Sequence, residues 1–144
     1  MSIVTYSEQT LKNLIIYHEY INHSFNLTEY KTSIQEILTL STKVDIIQNY
    51  TYLSPEPCND DISYKYKLKL LIKLIYSLEY NDNSLQCDMQ YLTLEKAMIL
   101  SVPLPESYRD GFQINIIPKL LDNSYTILED VISFSNFISL YISL

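Results

Sequence analysis

The stretch Tyr64–Glu79, YKYKLKLLIKLIYSLE, decides the fold because it fits two periodicities at once. Its even positions are tyrosine, leucine or isoleucine and most odd positions are lysine, serine or glutamate, which is the pattern of a half-buried strand. Sixteen residues are long for one strand, however, and Lys69, Lys73 and Ser77 also share one helical face. The length therefore predicts a helix, although the lysines near its start oppose the helix dipole and favour an extended beginning.

The residues before this stretch predict further helices. Capping-box patterns precede apolar residues at helical spacing and indicate helices over 6–22 and 26–41, with a short continuation to residue 50. Residues 51–63 contain two prolines and an acidic cluster, which is typical of a surface loop.

The residues after it predict a helix over 88–100 and a last helix that begins at Asn123 or Ser124. Between them, alternation over 112–117 indicates a short strand, and the imperfect alternation over 137–144 leaves a C-terminal strand as an alternative. The expected fold is a mainly α, single-domain bundle of about five helices over residues 1–144, or an α+β fold with those two strands.

The composition restricts the classes of function. A chain of 144 residues with 47% apolar and 19% charged residues can bury a core. Its one glycine, Gly111, excludes the dinucleotide-binding fingerprint, the Walker A loop and the nucleophile elbow, which each need several glycines. The net charge of −7 argues against nucleic acid as a partner, and the scarcity of Gly, Ala and Arg is typical of an AT-rich genome.

The ends of the chain bear on its location. Its start lacks a basic segment followed by an apolar one, so we expect an intracellular protein of the cytoplasm or nucleus, or of the host cell if it is viral. Val131–Leu144 is uncharged but shorter than the roughly 20 residues that cross a bilayer, so no membrane span is expected. Cys58 and Cys87 are accordingly interpreted as free thiols.

The sequence HEYINH, from His18 to His23, comes near to a zinc-protease motif but has one residue too many after Glu19. On a helix that extra residue turns the two imidazoles away from each other. No metal is therefore predicted, and His18 is interpreted as a core or interface residue.

Two other groups of residues have chemistry without a supporting pattern. A cysteine beside a histidine is a thiol nucleophile with its base, but neither Cys58 nor Cys87 has a spacing that favours this. The acidic residues lack the calcium-loop pattern and are interpreted as solvated loop side chains. They are Glu56, Asp60, Asp61, Asp82 and Asp88.

Aromatic and basic residues interleave from Tyr64 to Lys69, and Lys73 extends this basic row, which has the chemistry that stacks on bases and neutralises phosphates. The acidic total favours a solvated lysine face instead. Among the 14 tyrosines, Tyr17, Tyr20 and Tyr30 would lie between the first two helices and form a candidate protein-interaction surface.

Two resemblances extend this interpretation. The succession of amphipathic helices, with the segment Ser124–Leu128 and the helix around 11–20, resembles the Bcl-2-like proteins of poxviruses, which implies a helical inhibitor of apoptosis or innate signalling. The segment Ile99–Phe112, ILSVPLPESYRDGF, is similar to part of a subunit of the GINS DNA-replication complex, which implies a complex subunit.

The predicted function is a non-catalytic protein-interaction module or complex subunit, for example a viral or parasite protein that contacts its host. Its expected partner is another protein or a second copy of the chain, with no cofactor and no catalytic residue. A small enzyme or metal site built on residues such as His18, Cys58 and Asp60 is the alternative.

Overall fold

The computed structural model describes residues 2–5, 14–53, 66–82 and 89–144, and it shows a protein built from β-strands. Its seven strands are β1 Ser2–Thr5, β2 Leu14–Asn26, β3 Glu36–Leu53, β4 Tyr66–Asn81, β5 Met89–Leu104, β6 Gln113–Leu128 and β7 Val131–Ser143. The helical elements in the described residues are two short 3-10 helices, Leu27–Tyr30 and Glu106–Tyr108.

The strands form two antiparallel sheets. The four-stranded sheet has the order β1-β2-β7-β6, so β2 pairs with the last strand of the chain, from Leu14 opposite Ser143 to Asn26 opposite Val131. The three-stranded sheet is a meander in the order β3-β4-β5. The two sheets bury one common cluster of apolar side chains between them.

The predicted helix over Tyr64–Glu79 is wrong for its described part, which is β4. Its even-numbered side chains face the core, and six of them from Leu68 to Leu78 are at most 2% exposed. Its odd positions, including Lys69 and Lys73, lie on the outer face of the sheet. The alternation was therefore the true signal, because side chains on a strand alternate between its two faces.

The other predicted helices are wrong where the structure describes them. Strand β2 replaces the described part of the helix over 6–22. The 3-10 helix Leu27–Tyr30 lies within the next predicted helix, and β3 occupies its end and its continuation from Glu36 onward. Strands β5, β6 and β7 cover the rest, so β6 begins inside the predicted short strand but runs on to Leu128. The mainly α bundle is thus contradicted by an all-β fold. The helices that carried the resemblance to Bcl-2-like proteins are absent from the described residues.

Candidate protein-interaction edge

In the part of the chain that the structure describes, three long strands, β3, β5 and β6, have one edge without a hydrogen-bonded neighbour, and β3 and β6 also approach each other. A free edge has unpaired backbone N–H and C=O groups that attract another strand, and proteins usually protect such edges. The features that protect each edge therefore show which one is available for binding.

The edge of β5 is protected in two ways. Pro103 has no N–H to offer to an added strand. Lys96 lies opposite Leu74, so its side chain is on the inner face of the edge, and an inward charge disfavours a further strand.

The edge of β6 is protected by a proline and by an irregular pairing. Pro118 removes an N–H within the strand. The pairing with β7 is also interrupted between Leu120 and Tyr125, which disrupts the regular edge.

The edge of β3 also has irregular pairing, but it differs from the other two edges in having neither a proline nor an inward charge. Register shifts of the bulge type leave Leu38 and Ile47 out of the pairing with β4, and they limit a regular segment, Thr39–Ile46. The inward side chains of this segment are Leu40, Thr42, Val44 and Ile46, which are all uncharged. We call Thr39–Ile46 the open edge segment.

Several apolar side chains are exposed along β3. Isoleucine and leucine normally favour the interior, so their exposure along an edge strand is apolar surface that another molecule can cover. The exposed fractions are 42% for Leu38, 40% for Ile46, 51% for Ile47, 49% for Tyr50 and 66% for Leu53.

An open cleft of about 540 Å³ lies beyond the end of the open edge segment. It is lined on one side by Ile46, Asn49 and Tyr50 of β3, and on the other by Phe112 and the turn that contains Arg109. Ile46 and Asn49, which lie opposite Ile72 and Leu70 of β4, line the cleft from the inner face of β3.

The three predicted interface tyrosines do not share one surface. Tyr17 faces the core and is 6% exposed, whereas Tyr20 is on the opposite face of β2 and is 38% exposed. Tyr30 lies in the 3-10 helix after β2 and is also 38% exposed. The helical groove that was expected to bring them together is replaced by a strand, which separates Tyr17 from Tyr20.

His18 and His23 lie on opposite faces of β2, because they are five positions apart along the strand. His18 Nδ1 is 3.0 Å from Ser139 Oγ on the outer face, and its ring stacks on Phe137. His23 is in the core. Among the described residues, no group of three or more histidine, cysteine, aspartate or glutamate side chains is arranged to hold a metal ion.

A buried hydrogen-bonded cluster links the two sheets. Tyr76 Oη on β4 lies 2.9 Å from His23 Nδ1 and accepts a hydrogen bond from Asn136 Nδ2 on β7. Since Tyr76 accepts from Asn136, it can donate its own proton to His23, which requires a neutral imidazole. Burial, and then the positive charge of Lys96, lower the pKa of His23 from 6.5. Burial raises the pKa of Tyr76 to about 12, against the lowering effect of the Asn136 hydrogen bond.

The lowered pKa of His23 predicts a loss of stability in mild acid. The unfolded chain binds a proton at His23 more readily than the folded one, so the stabilisation is complete above 6.5 and is lost as the pH falls towards the folded pKa. We expect the free energy of unfolding in urea to decrease from about pH 7.5 to about pH 5, and to decrease less in the His23→Gln variant. Equal decreases in both proteins would contradict a role of His23.

The lysines of the predicted basic row lie on the outer face of β4. Lys69 Nζ is 5.4 Å from the centre of the Tyr52 ring, and Lys73 Nζ is 3.4 Å from Glu95 Oε2. Lys67 occupies the same face, opposite Tyr52 in the sheet. Because Lys73 is paired with Glu95, this part of the outer face has both basic and acidic side chains. It resembles the solvated lysine face that the acidic total predicts.

Several candidate residues lie outside the described residues. They are Cys58, Cys87, Glu56, Asp60, Asp61, Asp88, Tyr64 and Lys65. Asp82 is described, and it accepts a hydrogen bond from Gln90 Nε2 at 3.0 Å.

Comparisons with known proteins add no family to this geometry. No family model, no curated protein and no solved structure matches the chain. No helix within residues 14–53, 66–82 or 89–144 has the length and apolar character that crossing a membrane requires.

Proposed function

We propose that this protein is a non-catalytic interaction module that binds another protein chain by adding a strand to β3. The observation that supports this is the open edge segment, Thr39–Ile46, which has no proline and no inward charge. Each of the other two long edges contains a proline, and β5 also has an inward lysine.

The mode of binding follows from the geometry of antiparallel sheets. An added strand lies about 4.8 Å from β3 and takes its affinity from main-chain hydrogen bonds. Its side chains alternate between the two faces, so those on the inner face cover Val44 and Ile46. A partner that continues past Ile46 reaches the cleft beside Asn49 and Phe112, where an apolar side chain finds a concave site.

The variant Ile46→Lys tests this proposal. It places an inward charge on the β3 edge, as Lys96 does on β5, and Ile46 is already 40% exposed. We expect the substitution to weaken partner binding about tenfold or more and to leave the fold intact. The measurement is recovery of partners on the tagged protein, followed by amide hydrogen exchange of the recovered complex.

The matched control is Ile99→Lys on β5, where the side chain is 64% exposed on the outer face of the same sheet. Partners should be recovered with this control as with the unmodified protein, and exchange should be slowed over residues 39–46. Slowed exchange elsewhere, or equal binding by Ile46→Lys, would show that β3 is not the binding edge.

A further inference from the structure

The charges on the open edge segment are arranged symmetrically about Val44. Lys43 and Asp45 are its two charged residues, and both are exposed on the outer face, opposite Ile75 and Lys73 of β4. Val44 lies between them on the inner face. The segment therefore has a positive charge on one side of Val44 and a negative charge on the other.

A second copy of the chain can continue the sheet across this edge. Two identical strands that pair antiparallel are related by a two-fold axis. This axis must be perpendicular to the sheet if the hydrophobic cores of both copies are to lie on the same side of the continued sheet. Side chains that lie directly opposite each other across the two strands are then on the same face. The axis is therefore centred on one residue, which lies opposite the same residue of the second copy, and not between two successive residues.

Among the possible centres, Val44 gives complementary charges. With the axis at Val44, Lys43 lies opposite Asp45 of the second copy, and this pair occurs twice. With the axis at Lys43 or at Asp45, the central residue lies opposite its own like charge, which destabilises the pairing. With the axis at Thr42, both charged residues lie opposite uncharged ones.

The neighbouring residues are compatible with this register. Ile46, which is 40% exposed, lies opposite Thr42 of the second copy on the inner face. Thr42–Ile46 of each copy pair within the regular part of the edge, before the register shift at Ile47. The pairing therefore covers exposed apolar surface and requires no change in the bulges.

We propose that β3 pairs antiparallel with β3 of a second copy, centred on Val44, so that two three-stranded sheets become one six-stranded sheet. This inference rests on the proposed function and names the partner. It predicts a symmetric dimer whose register is set by Lys43 and Asp45.

Charge reversal tests the register. In Lys43→Glu an acid meets Asp45 of the second copy, and in Asp45→Lys a lysine meets Lys43 of the second copy. Both attractive pairs are replaced by like charges, so we expect the dissociation constant of each variant dimer to rise about tenfold.

An equimolar mixture of the two variants restores both pairs. In a heterodimer the introduced acid of one chain faces the introduced lysine of the other, and the unchanged Asp45 faces the unchanged Lys43. We therefore expect a heterodimer about as tight as the original dimer.

Light scattering and analytical ultracentrifugation over a concentration series measure these constants. Lys119→Glu on β6 is the control, since it changes the charge equally outside β3 and should leave the dimer unchanged. Thermal unfolding checks that each variant is folded. The check is needed because Asp45→Lys also places a second lysine opposite Lys73 of β4.

The outcomes separate the two proposals. Weakened single variants with a restored mixture support the dimer and its register. A protein that stays monomeric, or a mixture that stays dissociated, overturns the second copy as partner. In that case slowed exchange over residues 39–46 with another protein would still support binding at β3, whereas unslowed exchange with every partner would overturn both proposals.

Discussion

Replacing Phe134 with alanine is expected to lower the free energy of unfolding by about 4 kcal/mol. The ring of Phe134 is fully buried and stacks on Tyr76, with centroids 4.3 Å apart and planes at 11°. Phe25 contacts the same ring edge-on at 5.9 Å. Because these rings come from both sheets, neither sheet can fill the cavity without shifting against the other. Urea unfolding measures the loss.

The matched control is Phe137→Ala, three residues further along β7 on the outer face. Phe137 is half-buried and contacts His18 and Tyr20, so its removal should cost about 1 kcal/mol. If the two variants lost equal stability, Phe134 would not be at the centre of the core.

Removing only the hydroxyl group of Tyr76 is expected to cost about 2–3 kcal/mol. In Tyr76→Phe the packing of the ring is kept, but His23 Nδ1 and Asn136 Nδ2 lose their shared partner inside the core. Asn136 Oδ1 is already buried without a partner in the described part of the chain. In the variant, neither Nδ2 nor Oδ1 of Asn136 would have a hydrogen-bond partner among the described residues. Unpaired polar atoms are costly where water cannot reach them.

Tyr108 provides the matched control for this prediction. Its side chain is also fully buried, but its hydroxyl has no hydrogen-bond partner among the described residues. Tyr108→Phe should therefore be neutral or slightly stabilising in the same urea experiment. A loss in Tyr108→Phe as large as that in Tyr76→Phe would mean that the hydrogen bonds of Tyr76 do not account for its effect.

The sequence contains the correct signal for β4, which is its alternation, whereas the length of the pattern favours a helix. Typical strands have about 3–10 residues, whereas β2 to β7 have 13–18. Strands of this length are stable here because β4 pairs with neighbours along its whole length on both sides. Such pairing is a property of the fold, and the local pattern does not reveal it.

The proposed binding edge is less predictable from the sequence than the fold is. Alternation over Leu40, Thr42, Val44 and Ile46 is visible in the sequence, but it does not distinguish an edge strand from a central one. That distinction depends on the strand order β3-β4-β5. Residue type alone predicts the tyrosine surface, whereas the alternation of β2 places Tyr17 and Tyr20 on opposite faces.

The pairing of β2 with β7 has a consequence for how the chain acquires its structure. The two strands are joined only after the whole chain between Asn26 and Val131 has been made, so β2 lacks this partner during most of synthesis. The β3-β4-β5 meander has neighbouring strands and can form earlier. We expect folding to be slow and to end with the closure of the four-stranded sheet, as is usual where distant segments must meet. Until that closure, the apolar inner face of the meander has no covering layer.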